Sequence, residues 1–435
     1  MFDIPELLMP GMEGAEPVLP SASEFIELPY GSDLFLLPDR VPIGFDPAAN
    51  EFVLVPEYEG ERVFPVAAFM APAHMQLYLP AFREATILED TERPELEGQS
   101  SGSCVGEARP LPLYGYTAAG WKEDHTVVPA VRIDSDIRQD LAYVDFDAIE
   151  RLAPELIGRF PGNRLVEHLV HNCALCYGCP AARNFVLGRW ECPVPTSRVC
   201  NAGCIGCISY QPESSGFRPA QDRIAFTPSV AEIVEFTVPH LEYAENPVIS
   251  FGQGCEGEPL LVADVIAEAI SEIRKKTGRG TININTNGSL PEKVEELCRA
   301  GLDSIRVSVN SLRRELYNAY HRPRNYSFDD VLKSVKVVSD YGKWTSLNYF
   351  IFPGVTDNPD EMSALSRCIS ETGLNMIQTR NTNIDPLLYW HSLGYDCTDT
   401  ETGRENNFLG MTTWLETIRS EFPGLKFGYF NPQVR

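Results

Sequence analysis

Seven of the twelve cysteines in this chain lie in one short stretch, at Cys173, Cys176, Cys179, Cys192, Cys200, Cys204 and Cys207. The last three have the spacing C-x3-C-x2-C. Three thiolates this close together can bind three irons of a cubane iron–sulfur cluster and leave the fourth iron open to another ligand. Gly203 and Gly206 would let the backbone wrap closely around such a cluster. The alternatives are a structural zinc site and thiols that are buried as small apolar side chains.

The cysteines that precede this loop form a second group. Their spacing, C-x2-C-x2-C followed by proline, resembles the cysteine run of bacterial ferredoxins, and a fourth thiolate would complete a closed cluster. The predicted ligands of this auxiliary iron–sulfur cluster are Cys173, Cys176, Cys179 and Cys192. Cys104 and His171 are other candidates for the fourth ligand. Zinc bound by four cysteines is the alternative metal, since zinc accepts the same thiolates.

A glycine-rich turn, Gly252–Pro259, directly follows an apolar strand-like segment. Such a turn lets backbone groups approach a small polar ligand closely. Polar side chains also lie at the ends of the next two predicted strands, at Asn285, Asn287, Ser308 and Asn310. An ordinary strand–helix turn would explain any one of these features alone, but all of them come after strands in the region that follows the cysteines.

These motifs together resemble the radical S-adenosylmethionine (radical SAM) superfamily, whose hallmark is C-x3-C-x2-C near the start of the catalytic domain. Gly257-Glu258-Pro259 is similar to the end of the superfamily's Gly-Gly-Glu-Pro motif, with Glu256 in place of the first glycine. Asn285-Thr286-Asn287-Gly288 is similar to its Thr-Asn-Gly strand ending. Gly206 departs from the superfamily, because many members have an aromatic residue just before the third cysteine.

The resemblance implies a [4Fe-4S] cluster on Cys200, Cys204 and Cys207, with the amino and carboxylate groups of S-adenosylmethionine on the open iron. It implies that the Gly257-Glu258-Pro259 turn holds the amino group of S-adenosylmethionine. The remaining residues that it places at this cofactor are Asn285, Asn287, Ser308 and Asn310. No residue that acts on the substrate is identified from the sequence.

The implied activity is reductive cleavage of S-adenosylmethionine to a 5′-deoxyadenosyl radical, which abstracts hydrogen from a small-molecule or peptide substrate. A reductant protein such as a flavodoxin or ferredoxin would supply the electron. Two alternatives within the superfamily are an activase of a glycyl-radical enzyme and a peptide maturase. From a different class, the chain could be a non-catalytic iron–sulfur electron carrier or a zinc-stapled scaffold.

The elements that must position these residues alternate between strand and helix from about residue 191 onward. Each predicted strand is rich in Val, Ile or aromatic residues and ends near Gly, Asn or Pro. The predicted strands are 246–251, 281–286, 304–309, 345–352 and 375–379, after a first one that leads into Cys200. Six such repeats predict a parallel sheet, and the superfamily's usual domain is a partial (β/α)6 TIM-like barrel. The site residues would then lie at the carboxyl ends of the strands.

The expected domains are a β-rich or α+β accessory domain at 1–145, a helical linker with the auxiliary cysteines at 146–192 and the partial barrel at 193–435. Helices are predicted at 145–159 and 163–171. The net charge of −25 and the pI of about 4.7 make nucleic acid an unlikely partner, because such a surface repels phosphates. Without an apolar run of about 18 residues or a basic signal-like start, we expect a cytoplasmic protein with no membrane partner.

Overall fold

The computed structural model describes residues 144–352, 354–381, 383–395, 409–428 and 431–435, together with residues 113 and 138 and nine short strands before residue 133. The chain divides into two compact units. One comprises Met1–Ala142, Phe350–Ser363 and Thr379–Pro423; the other comprises Tyr143–Tyr349, Ala364–Gln378 and Gly424–Arg435. Every residue of the candidate site described below belongs to the second unit.

The nine strands before residue 133 pair in antiparallel register. They are β1 (Glu6–Leu7), β2 (Glu24–Glu27), β3 (Asp33–Phe35), β4 (Ile43–Asp46), β5 (Glu51–Leu54), β6 (Ala67–Phe69), β7 (Tyr78–Pro80), β8 (Gly120–Lys122) and β9 (His125–Arg132). Strands β1, β8, β9 and β2 are neighbours in that order, with β7 also on β9, while β3 pairs with β6 and β4 with β5. The β-rich or α+β accessory domain expected at 1–145 stays a prediction.

Seven further strands form one parallel sheet. They are β10 (Glu191–Val194), β11 (Val248–Phe251), β12 (Thr281–Thr286), β13 (Ser304–Val309), β14 (Trp344–Ile351), β15 (Met376–Asn381) and β16 (Lys426–Gly428). Their spatial order equals their order in the chain, and Val194, Phe251 and Ile284 are register partners across the first three strands. The carboxyl ends of these strands therefore share one edge. Residues along β10, β11 and β12 are almost continuously buried, as expected for a parallel sheet that is covered on both faces.

The predicted parallel α/β arrangement is confirmed, with one strand more than the six expected. The extra strand, β16, pairs with β15 at the end of the sheet. The sheet is open rather than closed, since β10 and β16 are its two ends, and this agrees with a partial TIM-like barrel. The short β16 has one exposed and one half-buried residue and is therefore less buried than β10, β11 and β12.

Eleven α-helices lie in the part of the chain that the structure describes. They are α1 (Phe146–Arg159), α2 (Arg164–Glu167), α3 (Pro180–Val186), α4 (Val230–Tyr243), α5 (Ala263–Lys276), α6 (Pro291–Ala300), α7 (Arg314–His321), α8 (Phe328–Asp340), α9 (Pro359–Thr372), α10 (Pro386–Ser392) and α11 (Met411–Glu421). Several bury one apolar stripe, as α5 does with Ile266, Ile270 and Ile273. None of the described helices is both long enough and apolar enough to cross a lipid bilayer.

The helix expected at 163–171 is interrupted in an unusual way. Asn163 caps α2 by accepting hydrogen bonds from the backbone nitrogens of Leu165 and Val166. From His168 to Cys176 the chain then follows a wider π-helix, in which hydrogen bonds join residues five apart. Tyr177 continues this pattern with a 3.0 Å bond to the carbonyl of Asn172. The first predicted cysteine of the auxiliary group therefore lies on a π-helix rather than on an α-helix.

Candidate functional site

The cysteine loop, Cys200–Cys207, follows β10 at the edge where the parallel strands end. Backbone hydrogen bonds attach it to the end of α7: Gly203 N donates to the His321 carbonyl at 2.9 Å, and Ile205 N donates to the Tyr320 carbonyl at 3.1 Å. Its three thiols are half-buried and unbridged. The loop is thus held by residues more than 110 positions further along the chain, an attachment that the motif alone does not reveal.

Polar side chains contact two of the three loop thiols. His321 Nδ1 lies 3.3 Å from Cys204 Sγ, and the Arg223 guanidinium lies 3.6 Å from Cys207 Sγ. Burial lowers the pKa of His321 to about 3, so its imidazole is neutral and can donate one ring hydrogen bond. Neither residue was selected from the sequence: His321 could move protons, but a lone residue of this type is more often structural, and Arg223 lies in no motif.

The thiols of Cys200 and Cys204 are protonated unless a cation compensates them. Burial raises the pKa of Cys200 to about 11 and raises that of Cys204 as well, since a buried thiolate loses its hydration. Bound metal supplies the missing positive charge and releases the thiol protons. This chemistry is that of a metal-binding loop, and it differs from that of an activated nucleophilic cysteine.

The spacing of the loop thiols distinguishes a cluster from a single ion. Two thiolates on one zinc ion, each about 2.3 Å from it, are separated by at most about 4.6 Å. Among the described residues, the three loop thiols do not all lie within 4.8 Å of one another. A cubane cluster has no such limit because each cysteine binds a different iron. The loop therefore fits a cluster better than it fits zinc.

Glu256, which replaces a glycine of the superfamily motif, fastens the turn after β11 to the segment before the loop. Its buried carboxylate accepts hydrogen bonds from the backbone nitrogens of Thr196 at 2.7 Å, Ser197 at 2.8 Å and Gln253 at 2.7 Å. Burial raises the pKa of Glu256 to about 7, against the opposing effect of these donors. The sequence comparison presented this residue as a departure, whereas the structure gives it a clear positioning role.

Glu258 makes the corresponding connection to the end of β12. Its carboxylate accepts hydrogen bonds from the hydroxyl of Thr286, from Asn287 N at 2.8 Å and from Leu260 N at 3.0 Å. Burial raises the pKa of Glu258 to about 7, and its charge also contributes to the raised pKa of Cys200. Glu258 thus stabilises the end of β12 through hydrogen bonds, and its negative charge acts on a thiol of the cysteine loop.

The glycine between these glutamates is required by close packing. Gly257 N donates to the Ser197 carbonyl at 2.7 Å, and Glu258 N donates to the Val199 carbonyl at 2.8 Å. A Cβ atom at Gly257 would lie 2.0 Å from the carbonyl oxygen of Val199, which is far inside van der Waals contact. The superfamily-like glycine therefore allows the turn to lie directly against the residue before Cys200.

The predicted polar residues of the next strands are only partly brought to the loop. Asn287 Nδ2 donates to Asn201 Oδ1 at 2.8 Å, and Asn201 Nδ2 donates to Ser289 Oγ at 2.9 Å. Asn285 instead donates to the Gly252 carbonyl at 2.8 Å. The contacts at the end of β13 are separate from these: Ser308 Oγ accepts from Asn348 at 3.3 Å, and Asn310 donates to the Leu316 carbonyl at 3.2 Å.

The auxiliary cluster on Cys173, Cys176, Cys179 and Cys192 stays a prediction; among the described residues, the three-residue group that could hold one metal ion includes only Cys173 of these four. Cys173 and Cys192 are buried, Cys179 is half-buried and Cys176 is exposed. The thiol of Cys192, in β10, is placed 4.0 Å from the carbonyl of Pro193. Of the other fourth-ligand candidates, His171 is exposed, and Cys104 lies outside the described residues.

Cys173 is paired with a cysteine that the prediction did not include. Its sulfur lies 3.5 Å from that of Cys255, which is 82 residues away in the turn after β11. His168 completes the group, and the three ligand atoms all lie within 4.8 Å of one another. Hydrogen bonding with Cys255, together with His168, lowers the pKa of Cys173 to about 5 despite burial. No spacing rule connects these three residues, so sequence reasoning missed the group.

Comparison with known proteins finds a family model that matches part of this chain. Residues 194–365 match the model of the radical SAM superfamily. The chain is 26% identical over 181 residues to an uncharacterized protein of Methanocaldococcus jannaschii, and this match covers 40% of the chain and 38% of that protein. It is 30% identical over 161 residues to a GTP 3′,8-cyclase of Limosilactobacillus fermentum, which covers 37% of the chain and 45% of that enzyme. The matched region thus spans less than half of either relative.

Among solved structures, the chain matches Streptococcus suis SuiB bound to S-adenosylmethionine with a TM-score of 0.36 and 18% identity. That match covers 57% of this chain and 54% of the other.

Proposed function

We propose that this chain, in which residues 194–365 are a radical SAM domain, is an enzyme that cleaves S-adenosylmethionine reductively and uses the resulting 5′-deoxyadenosyl radical to abstract hydrogen from a substrate. The observation that carries the proposal is the C-x3-C-x2-C loop itself, half-buried after the first strand of a parallel sheet. Both the following turn and the end of β12 are hydrogen-bonded to this loop or to the segment before it.

Cys200, Cys204 and Cys207 would hold the [4Fe-4S] cluster. When bound, the cluster supplies the electron for cleavage and an open iron for the amino and carboxylate groups of S-adenosylmethionine. The chain's own residues orient and compensate these thiolates. Arg223 contributes a positive charge beside Cys207, and His321 contributes a neutral hydrogen-bond donor beside Cys204. Donors of this kind orient metal ligands and adjust the potential of the metal.

The Gly257-Glu258-Pro259 turn would receive the ammonium group of S-adenosylmethionine, since it lies against Val199 and carries a buried carboxyl group. The remaining cofactor contacts would come from Asn285, Asn287, Ser308 and Asn310. Asn287 is best supported among these, because its side chain already contacts Asn201 in the loop. Amide and hydroxyl groups at strand ends suit a ligand that carries both a sugar and charged groups.

The substrate that we propose is a small molecule or a peptide, and the electron would come from a protein such as a flavodoxin or ferredoxin. The net charge of −25 disfavours a nucleic-acid substrate because it repels phosphate groups. A reducing, cytoplasmic compartment is also proposed. The ten cysteines in the described residues are all unbridged, and such thiols persist where glutathione and thioredoxin keep them reduced.

The test is 5′-deoxyadenosine production by anaerobically reconstituted protein with S-adenosylmethionine and dithionite. We expect the parent to form 5′-deoxyadenosine and Cys204→Ala to form none, with an accompanying loss of iron. Cys298→Ala is a matched control, since Cys298 is a buried thiol on α6 with no part in the proposed site. An iron-loaded parent that leaves S-adenosylmethionine intact would instead favour the non-catalytic electron carrier.

A further inference from the structure

The three residues His168, Cys173 and Cys255 form a buried group, hereafter the buried thiol group, that the radical chemistry does not use. Cys173 and Cys255 are 1% and 4% exposed, respectively. The Nε2 atom of His168 is buried and has no hydrogen-bond partner among the described residues. A buried ring nitrogen without a partner costs free energy. One ring nitrogen of His168 lies within 4.8 Å of both thiols, and an imidazole beside two thiols is typical of a zinc site.

The π-helix explains how His168 and Cys173 come to share a site. They are five residues apart, and in an α-helix that spacing would place them about 140° apart around the axis. In a π-helix, whose hydrogen bonds join residues i and i+5, the same spacing places them one turn apart on one face. The irregular backbone therefore creates the pair, and Cys255 is added by the packing of the turn after β11.

The distances fit a single ion rather than a cluster. Two thiolates on one tetrahedral zinc ion, each about 2.3 Å from the metal, lie roughly 3.8 Å apart. The Cys173 and Cys255 sulfurs are 3.5 Å apart, and the His168 nitrogen is within 4.8 Å of both. In a cubane cluster each cysteine binds a different iron, so thiols in cluster positions are not in mutual contact. Nitrogen and sulfur together are also a typical zinc ligand set.

The chain places one further cysteine next to this group. The backbone nitrogen of Cys179 donates to the Cys173 carbonyl at 2.7 Å, although the Cys179 sulfur is not one of the atoms that all lie within 4.8 Å of one another. Three thiolates and one imidazole are a common structural zinc combination. Cys176 is exposed and Cys192 contacts only the next residue's carbonyl among its described polar contacts.

We propose that His168, Cys173 and Cys255 bind one zinc ion, and that the Cys179 side chain turns toward the ion when it binds and becomes the fourth ligand. The ion links the π-helix to the turn that carries Glu256 and Glu258. Because Glu256 in turn binds the segment before the cysteine loop, zinc stabilises the position of that turn. The site thus replaces the predicted four-cysteine cluster with a mixed site in which Cys255 and His168 take the places of Cys192 and Cys176.

The first test is metal content after anaerobic purification, measured on the parent and on single variants. We expect about one zinc per chain in the parent and in Cys192→Ser, and at least a tenfold loss in Cys255→Ser and His168→Ala. The same zinc should remain in the Cys200→Ala/Cys204→Ala/Cys207→Ala variant, which separates this site from the proposed catalytic cluster. Zinc that is lost from Cys192→Ser but kept in Cys255→Ser would overturn the proposal.

A second measurement does not depend on the folding of any variant. Zinc-edge X-ray absorption of the parent should show one shell with about three sulfurs and one nitrogen. A shell of sulfur alone would overturn the His168 assignment. About eight irons per chain without zinc would overturn the whole proposal in favour of two clusters, as would a Cys173–Cys255 disulfide in metal-free protein.

Discussion

The two thiol-bearing regions of this protein differ in how the chain assembles them. The cysteine loop takes its three thiols from eight consecutive residues, keeps them half-buried and holds them too far apart for one ion. The buried thiol group takes its members from positions 82 residues apart and brings their sulfurs into contact. The first arrangement suits an open, reactive cluster and the second suits a closed, structural ion. The difference shows that cysteine spacing identifies a reactive loop more reliably than it identifies a structural site.

Of the variants that test this difference, Gly257→Ala is expected to have the largest effect on stability and iron content. The added methyl group would lie 2.0 Å from the Val199 carbonyl oxygen, so the segment that leads into Cys200 must move. We expect a loss of about 3 kcal/mol in the free energy of unfolding, measured by urea denaturation, and a several-fold loss of iron. Gly278→Ala is the matched control, since nothing lies within 4 Å of its added Cβ. Equal iron content in both variants would contradict the close packing described here.

A smaller effect is expected for Glu256→Gln, which tests the connection between the two regions. The backbone nitrogens of Thr196, Ser197 and Gln253 donate hydrogen bonds to the Glu256 carboxylate. In the variant, the side-chain NH2 group would face at least one of these donors, so that hydrogen bond would be lost. We expect a destabilisation of about 2 kcal/mol and slower 5′-deoxyadenosine formation, with zinc content unchanged. Glu268→Gln, an exposed change on α5, should alter neither quantity. Unchanged unfolding of Glu256→Gln would show that this carboxylate does not fasten the turn.

The smallest effect is expected for His321→Gln. This variant tests whether the His321 ring affects the reduction potential of a cluster bound by the loop. Hydrogen bonds to cluster sulfurs raise the reduction potential, and His321 is the ring beside Cys204. Its loss should lower the potential by about 30–60 mV, which corresponds to roughly 1 kcal/mol for one electron. A redox titration followed by electron paramagnetic resonance measures this shift. His240→Gln is the control, because His240 contacts the Trp190 carbonyl instead; equal shifts in both variants would exclude a specific contact.

The sequence supported more of the fold than of the site. The strands β11 and β12 were predicted to within two residues, because each contains Val or Ile and is followed by Gly or Asn. The short β16 has no such signal and was missed. At the site, the cysteine loop was identified from spacing alone, whereas His321 and Arg223 were not. Their roles depend on which loops and helix ends the parallel sheet brings together.

What the sequence determined by itself is the chemistry that lies within a few consecutive residues: a C-x3-C-x2-C loop, a Gly-Glu-Pro turn and the strand endings that follow. Their backbones are close because the chain is continuous. The tertiary structure alone decided that Cys255 and His168, rather than Cys192, accompany Cys173. That choice depends on a π-helical turn and on the packing of the β11 turn against it, and neither leaves a periodic pattern in the residues themselves.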